Sequence, residues 1–120
     1  MANQIVWCDI PVLNLYRAIK FYSALLGAEV KKQEFPGTTV GILPQQDGEV
    51  GGCLFASEQE KPTDKGVMVY LNANGRLEDA LAGVAINGGR VVQPKHPIGP
   101  FGFRAIIIDS EGNRVALHSD

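Results

Sequence analysis

The sequence predicts an α+β domain built from two copies of one βαβββ unit, and three observations lead there. First, the stretch over residues 5–27, which reads as strand, capped helix and glycine, recurs over residues 68–89. A shift of 62 positions, the difference between 77 and 15, lays Leu15 on Leu77, Ala18 on Ala80, Ile19 on Leu81, Gly27 on Gly89 and Val30 on Val92. Helix and strand signals that return in the same order at one offset mark an internal repeat. Second, each copy carries one helical apolar stripe followed by strand-like runs. Third, Ser57-Glu58-Gln59-Glu60-Lys61-Pro62-Thr63-Asp64-Lys65 is polar, charged and broken by proline, the composition of a connector. At 120 residues the chain suits one compact domain whose halves share a core. Module one is placed at 1–57, the linker at 58–65 and module two at 66–120.

In module one, residues 5–10 are β-branched and aromatic enough for a strand, and Pro11 ends its regular pairing by removing a backbone donor. Asn14 offers a helix N-cap, and Leu15, Ala18, Ile19, Tyr22, Leu25 and Leu26 form one apolar face. Gly27 stops the helix by adopting positive φ. Residues 28–35 make a strand with a wet face, Pro36-Gly37 turns it, and residues 38–43 and 50–56 make two more strands around a loop with an Asp-Gly turn. Module two repeats the order: strand 66–71, helix 77–86 closed by Asn87-Gly88-Gly89, short strand 90–93, proline-rich loop 94–100, strand 101–108, turn 109–113 and strand 114–119.

Composition excludes several classes. With 11 Lys+Arg against 13 Asp+Glu, the net charge of -2 offers no basic surface for nucleic acid. No apolar run approaches the roughly 20 residues that span a bilayer, and the N-terminus lacks the pattern of an export signal, so a cytoplasmic protein without a membrane partner is expected. Cys8 and Cys53 lie in strand-like runs, outside any zinc-binding spacing, and read as buried thiols or as one reactive thiol. Neither Gly51-Gly52 nor Gly88-Gly89 stands in a phosphate-binding loop.

Ala18-Ile19-Lys20-Phe21-Tyr22 followed by Leu26-Gly27, together with Asp109-Ser110-Glu111-Gly112-Asn113-Arg114 before the last strand, resembles the vicinal oxygen chelate superfamily of glyoxalases, bleomycin-resistance proteins and extradiol dioxygenases. The second motif is similar to that family's D-P-x-G-N turn, with serine for proline. The resemblance runs over nearly the whole chain and is strongest to small lactoylglutathione-lyase-like members. It implies a curled mixed sheet around a central cup, a homodimer that sometimes exchanges modules, and a metal held by the first and last strand of each module.

Carried over residue by residue, the metal positions implied by the resemblance fall on Trp7, Val69, Gly52 and Ala116, none of which donates a lone pair suited to a metal. A slip of one residue would offer Cys8 or Cys53, but it turns the side chain to the opposite face. No cofactor is therefore expected. A divalent metal (nickel, zinc or iron) at a displaced site is the alternative. Strand alternation puts Trp7 beside Asp9 and puts Arg114, Ala116 and His118 on one face, with Phe101 or Arg104 joining them. The expected ligand-binding set is Trp7, Asp9, Val69, Phe101, Arg104, Ala116 and His118, enclosing a small, partly aromatic molecule. Each residue also has an ordinary reading: Trp7 as core filling, Asp9 in an ion pair, His118 as a solvated residue near the chain end, His96 as loop surface. The alternative function is a lyase or isomerase in which Asp9 and His118 exchange protons.

Overall fold

The computed structural model describes residues 3–120, so the first two residues of module one lie outside the described residues. The elements run β1 (Trp7–Val12), α1 (Leu15–Leu26), β2 (Lys31–Phe35), β3 (Thr38–Ile42), β4 (Gly51–Ala56), β5 (Tyr70–Asn72), α2 (Leu77–Ala82), β6 (Arg90–Pro97), β7 (Phe103–Ile108) and β8 (Arg114–Ser119). They form two unclosed four-stranded mixed sheets, ordered β1-β4-β3-β2 and β5-β8-β7-β6, the α+β arrangement of paired βαβββ modules. In each, the first strand of the module runs parallel to the last, and the remaining pairs are antiparallel.

Helix α1 forms where the apolar stripe predicts. Asn14 Oδ1 accepts the Arg17 N–H at 3.0 Å, satisfying one orphan donor of the first turn, and Gly27 closes the helix at φ 67°. Helix α2 ends at Ala82, short of the 77–86 expected. Its N-cap, Arg76, supplies no side-chain bond, and Gly83 interrupts the pattern, so the chain continues in i to i+3 turns.

Prolines did not end strands as the sequence reading expects. Pro11 lies inside β1, paired with Phe55, and β6 extends through Pro94 to Pro97 with register shifts on either side of Gln93. Both are outer strands of their sheets, where a missing N–H faces no neighbour. Phe101 belongs to a short 3-10 turn, Gly99–Phe101, rather than to the strand expected from 101, and β7 starts at Phe103.

One core joins the modules. Helix α1 lies between the sheets: a Cβ built on Gly41 of β3 would meet Ile19 at 2.9 Å, and one built on Gly89, just before β6, would meet the ring of Phe21 at 2.7 Å. Ile19 and Phe21 project from opposite sides of the helix, so both sheets turn one face toward α1 and keep an outer face away from it. Phe21, Tyr22, Leu54, Leu77, Ile107 and Leu117 are fully buried between them.

The Asp-Ser-Glu-Gly-Asn turn between β7 and β8 staples this arrangement. Asp109 Oδ1 accepts the backbone N–H groups of Glu111, Gly112 and Asn113 at 2.8, 2.9 and 2.9 Å, and its Oδ2 accepts the Tyr22 hydroxyl of α1. Burial, and then the Asp109 charge, push that hydroxyl well above its ordinary range, so it remains a donor. Glu111 Oε1 accepts from the N–H groups of Leu13 and Asn14 at 2.9 and 2.8 Å, while Oε2 takes Arg17 Nε at 2.7 Å. Asn113 Nδ2 donates to the Pro11 carbonyl at 2.8 Å. The turn of module two thus fixes the strand-to-helix entry of module one.

Candidate functional site

Register assigns every strand residue to the helix side or to the outer face. In sheet one, Trp7 pairs with Gly51, Asp9 with Cys53 and Ile42 with Cys53, so Trp7, Asp9, Gly51, Cys53 and Ile42 share the outer face. In sheet two, Tyr70 pairs with Ala116, Asn72 with His118, Ile106 with Ala116 and Arg104 with both His118 and His96, and these form the other outer face.

On the first face, Asp9 Oδ1 accepts the Trp7 indole N–H at 2.9 Å and the Cys53 thiol at 3.3 Å. The bond holds the indole beside Gly51, where the Gln45 side chain also packs, and leaves it 43% exposed. Burial first, and then the bond to Asp9, raise the Cys53 thiol to about 11, which keeps it protonated and a donor rather than a reactive thiolate at neutral pH.

On the second face, Arg104 Nε donates to His96 Nε2 at 3.0 Å and Arg104 Nη1 donates to the Tyr70 hydroxyl at 2.5 Å. Ala116 is fully buried under this bridge, and its small side chain leaves Tyr70 room to lean across β8 toward β7. His118 Nε2 donates to the Phe101 carbonyl at 2.6 Å, its ring 6.3 Å from that of Tyr70. His96 Nδ1 donates to the Pro94 carbonyl at 2.8 Å. A carbonyl only accepts and Arg Nε–H only donates, so His96 is held as the Nδ1–H tautomer with Nε2 as acceptor.

The sequence-predicted residues therefore divide. Trp7 and Asp9 meet on one outer face; Arg104, Ala116 and His118 share the other. Phe101 joins the second group through its carbonyl alone, with its side chain 73% exposed. Asp9 and His118 are not brought together within the chain: among the described residues, no side-chain bond joins the two outer faces. Val69 packs against the core and lines the cleft beside β5, while its neighbour Tyr70 is the outer-face counterpart of Trp7. The β4 assignment is likewise shifted by one: Gly52 faces the helix side, where a Cβ would meet Leu43 at 3.1 Å, whereas Gly51 and Cys53 lie on the outer face. Cys53 accordingly sits on the face from which the parity reading had excluded it.

Sequence reasoning missed Tyr70, and it read His96 as loop surface where the structure pairs it with Arg104 in β6. Alternation could have found Tyr70, since Val67, Val69, Leu71 and Ala73 are all apolar while Met68, Tyr70 and Asn72 occupy the intervening places. A cleft of about 600 Å³ also opens between the outer strands β1 and β5, lined by Cys8, Ile10, Leu26, Leu43, Val69 and Leu71 among others.

Corrected for register, the positions at which the family resemblance implies a metal hold Trp7, Gly51, Tyr70 and Ala116. Their only oxygen donor is the Tyr70 hydroxyl, already engaged by Arg104. Three or more His, Cys, Asp or Glu side chains converge nowhere among the described residues. The donor set does not fit the metal.

Comparison with solved structures returns the same architecture at low identity. A glyoxalase/bleomycin resistance protein from Albidiferax ferrireducens superposes with a TM-score of 0.77 at 16% identity, over 98% of this chain and 99% of that one. A glyoxalase I mutant from Zea mays gives 0.73 at 21% identity over 95% of this chain and 45% of that one. The fosfomycin resistance protein FosX from Listeria monocytogenes gives 0.69 at 10% identity over 100% and 95%. Comparison with curated proteins finds no match. Two βαβββ modules, a stapling Asp-Ser-Glu-Gly-Asn turn and a family model matching residues 4–117 lead to one assignment: the chain belongs to the Glyoxalase/Bleomycin resistance protein/Dioxygenase superfamily.

Proposed function

We propose that this protein binds a small, partly aromatic molecule without a metal, and that it does so as a homodimer. The observation that carries the reading is the same in both sheets: an aromatic side chain on the first strand stands beside a residue with little or no side chain on the last, Trp7 by Gly51 and Tyr70 by Ala116. Each pair presents a half-exposed ring, 43% for Trp7 and 45% for Tyr70, with the Gln45 side chain lying over Gly51 on the first face. Such surfaces suit the flat face of a ligand ring, and a cup walled on two sides needs the outer face of sheet one from one chain against that of sheet two from a second.

A thermal-shift screen of small aromatic compounds, run with and without nickel, zinc and iron, tests this. Selective stabilisation by an aromatic compound in metal-free protein supports the reading; stabilisation only when a metal is added contradicts it.

A lyase or isomerase using Asp9 and His118 is the second reading, and the observation favouring it is that both side chains lie on the outer faces. In the proposed dimer they would confront each other across the ligand. Asp9, already accepting two hydrogen bonds, would hold or take a proton at Oδ, and His118 would act through Nδ1, the ring nitrogen left free by the bond to Phe101.

A further inference from the structure

We infer that the outer face of sheet two is an anion site, centred on Arg104 and Tyr70, that receives a carboxylate or phosphate carried by the ligand. The inference deepens the binding reading above, on which its aromatic half rests. The four strands of this sheet, Tyr70–Asn72, Arg90–Pro97, Phe103–Ile108 and Arg114–Ser119, contain no aspartate or glutamate, although acidic residues outnumber basic ones 13 to 11 in the whole chain. The same strands hold Arg90, Lys95, His96, Arg104, Arg114 and His118. Lys95 is spent on Glu78 of α2 at 2.6 Å, but the ion pairs among the described residues include none of the three arginines, all of which register places on the outer face.

Arg104 is pre-positioned with unused donors. His96 Nε2 and the Tyr70 oxygen accept one bond each, from Nε and from Nη1, so the guanidinium is held on two sides by groups that carry no negative charge. Among the described residues its Nη2 has no partner, and neither does the second hydrogen of Nη1. A guanidinium with hydrogens left on both terminal nitrogens can take two oxygens of a carboxylate or phosphate at once. Because the Tyr70 oxygen accepts from Arg104, its own hydrogen remains free to donate. On the same face, Arg114 Nε is buried without a partner among the described residues, and its Nη2 donates to the Gly66 carbonyl at 3.1 Å. A row of part-buried and exposed donors on strands without carboxylates is a poor neighbour for another cation and a favourable one for an anion.

The test uses the full chain, 15N-labelled and freed of metal, titrated with benzoate, phenyl phosphate, benzamide and inorganic phosphate while the Arg104 Nε–H and Trp7 Nε1–H resonances are followed. Benzoate or phenyl phosphate is expected to shift Arg104, and whichever binds more tightly identifies the anion. Benzamide, neutral and of the same shape as benzoate, should leave Arg104 unmoved. Arg104→Gln should weaken the anionic probe by about tenfold or more, the loss of charge-assisted bonds, without weakening benzamide. If Arg104→Gln fails to fold, Tyr70→Phe keeps the ring over Ala116, removes one donor and should weaken the same probe about threefold or more. Equal response to benzamide and benzoate, an Arg104 signal unmoved by both anionic probes and by phosphate, or undiminished affinity in both variants would overturn the inference. Inorganic phosphate shifting Arg104 while no aromatic probe shifts Trp7 would uphold the anion site and count against the aromatic reading.

Discussion

Glu111 shows how much of this fold rests on single buried polar groups. Burial raises its carboxyl, yet the Arg17 guanidinium, the N–H groups of Asn14 and Leu13 and the Ser110 hydroxyl together hold it below its ordinary 4.5. The unfolded chain therefore binds the proton more readily than the folded one. The stabilisation is complete above about pH 4.5 and fades as the pH falls through the depressed folded value. Glu111→Ala should cost about 3 kcal/mol or more in urea unfolding, since it strands two backbone donors, and should flatten this acid limb of the stability profile. An unchanged acid limb would mean that another carboxylate is responsible. Single residues also separate the two functional readings. If the outer faces only enclose a ligand, Trp7→Ala should weaken binding by about 1–3 kcal/mol through lost aromatic contact, with Asp9→Asn and His118→Gln mattering only through polar atoms they touch. If Asp9 and His118 transfer protons, either substitution should lower turnover about 10²–10⁴-fold with little change in affinity. Binding isotherms and rates measured on the same variants decide between these patterns.

At the scale of elements, helix α1 is the central packing unit, and glycines on both sides let the sheets approach it. Gly89→Ala would press a methyl group against the Ile108 carbonyl, 2.6 Å from the new Cβ, and against the Phe21 ring. We expect a loss of about 1–3 kcal/mol by overpacking, measured as a lowered urea midpoint at unchanged slope. The helix itself was legible in the sequence because the apolar stripe, the Asn14 cap and Gly27 all agree. The last strand was legible for a similar reason, starting after a turn with strong local chemistry. Reading failed where tertiary context overrides local preference. Pro11, Pro94 and Pro97 look like strand breakers until the strand is known to lie on an edge. The site position on β5 slipped by one residue because the offset of 62 was set on the helices. Trp7 and Tyr70 are 63 apart whereas Leu15 and Leu77 are 62 apart, so strand and helix offsets differ by one residue. A slip of that size exchanges the faces, which is why Val69 and Gly52 stood where Tyr70 and Gly51 belong.

For the whole molecule, the shared core between the sheets leaves two aromatic-bearing outer faces, and none of the described helices is long and apolar enough to cross a membrane. The proposed partner for those faces is a second copy of the chain. Light scattering should give twice the chain mass of 12.9 kDa, and a monomer at micromolar concentration would contradict the two-chain cup. The central claim, metal-free binding against Trp7, is tested most directly by the fluorescence of that residue, the only tryptophan in the sequence. In protein stripped of metal by a chelator, titration with benzoate or phenyl phosphate should change the Trp7 emission saturably, and adding nickel, zinc or iron should leave the midpoint where it was. An emission that responds to these compounds only after a metal is restored would contradict the account.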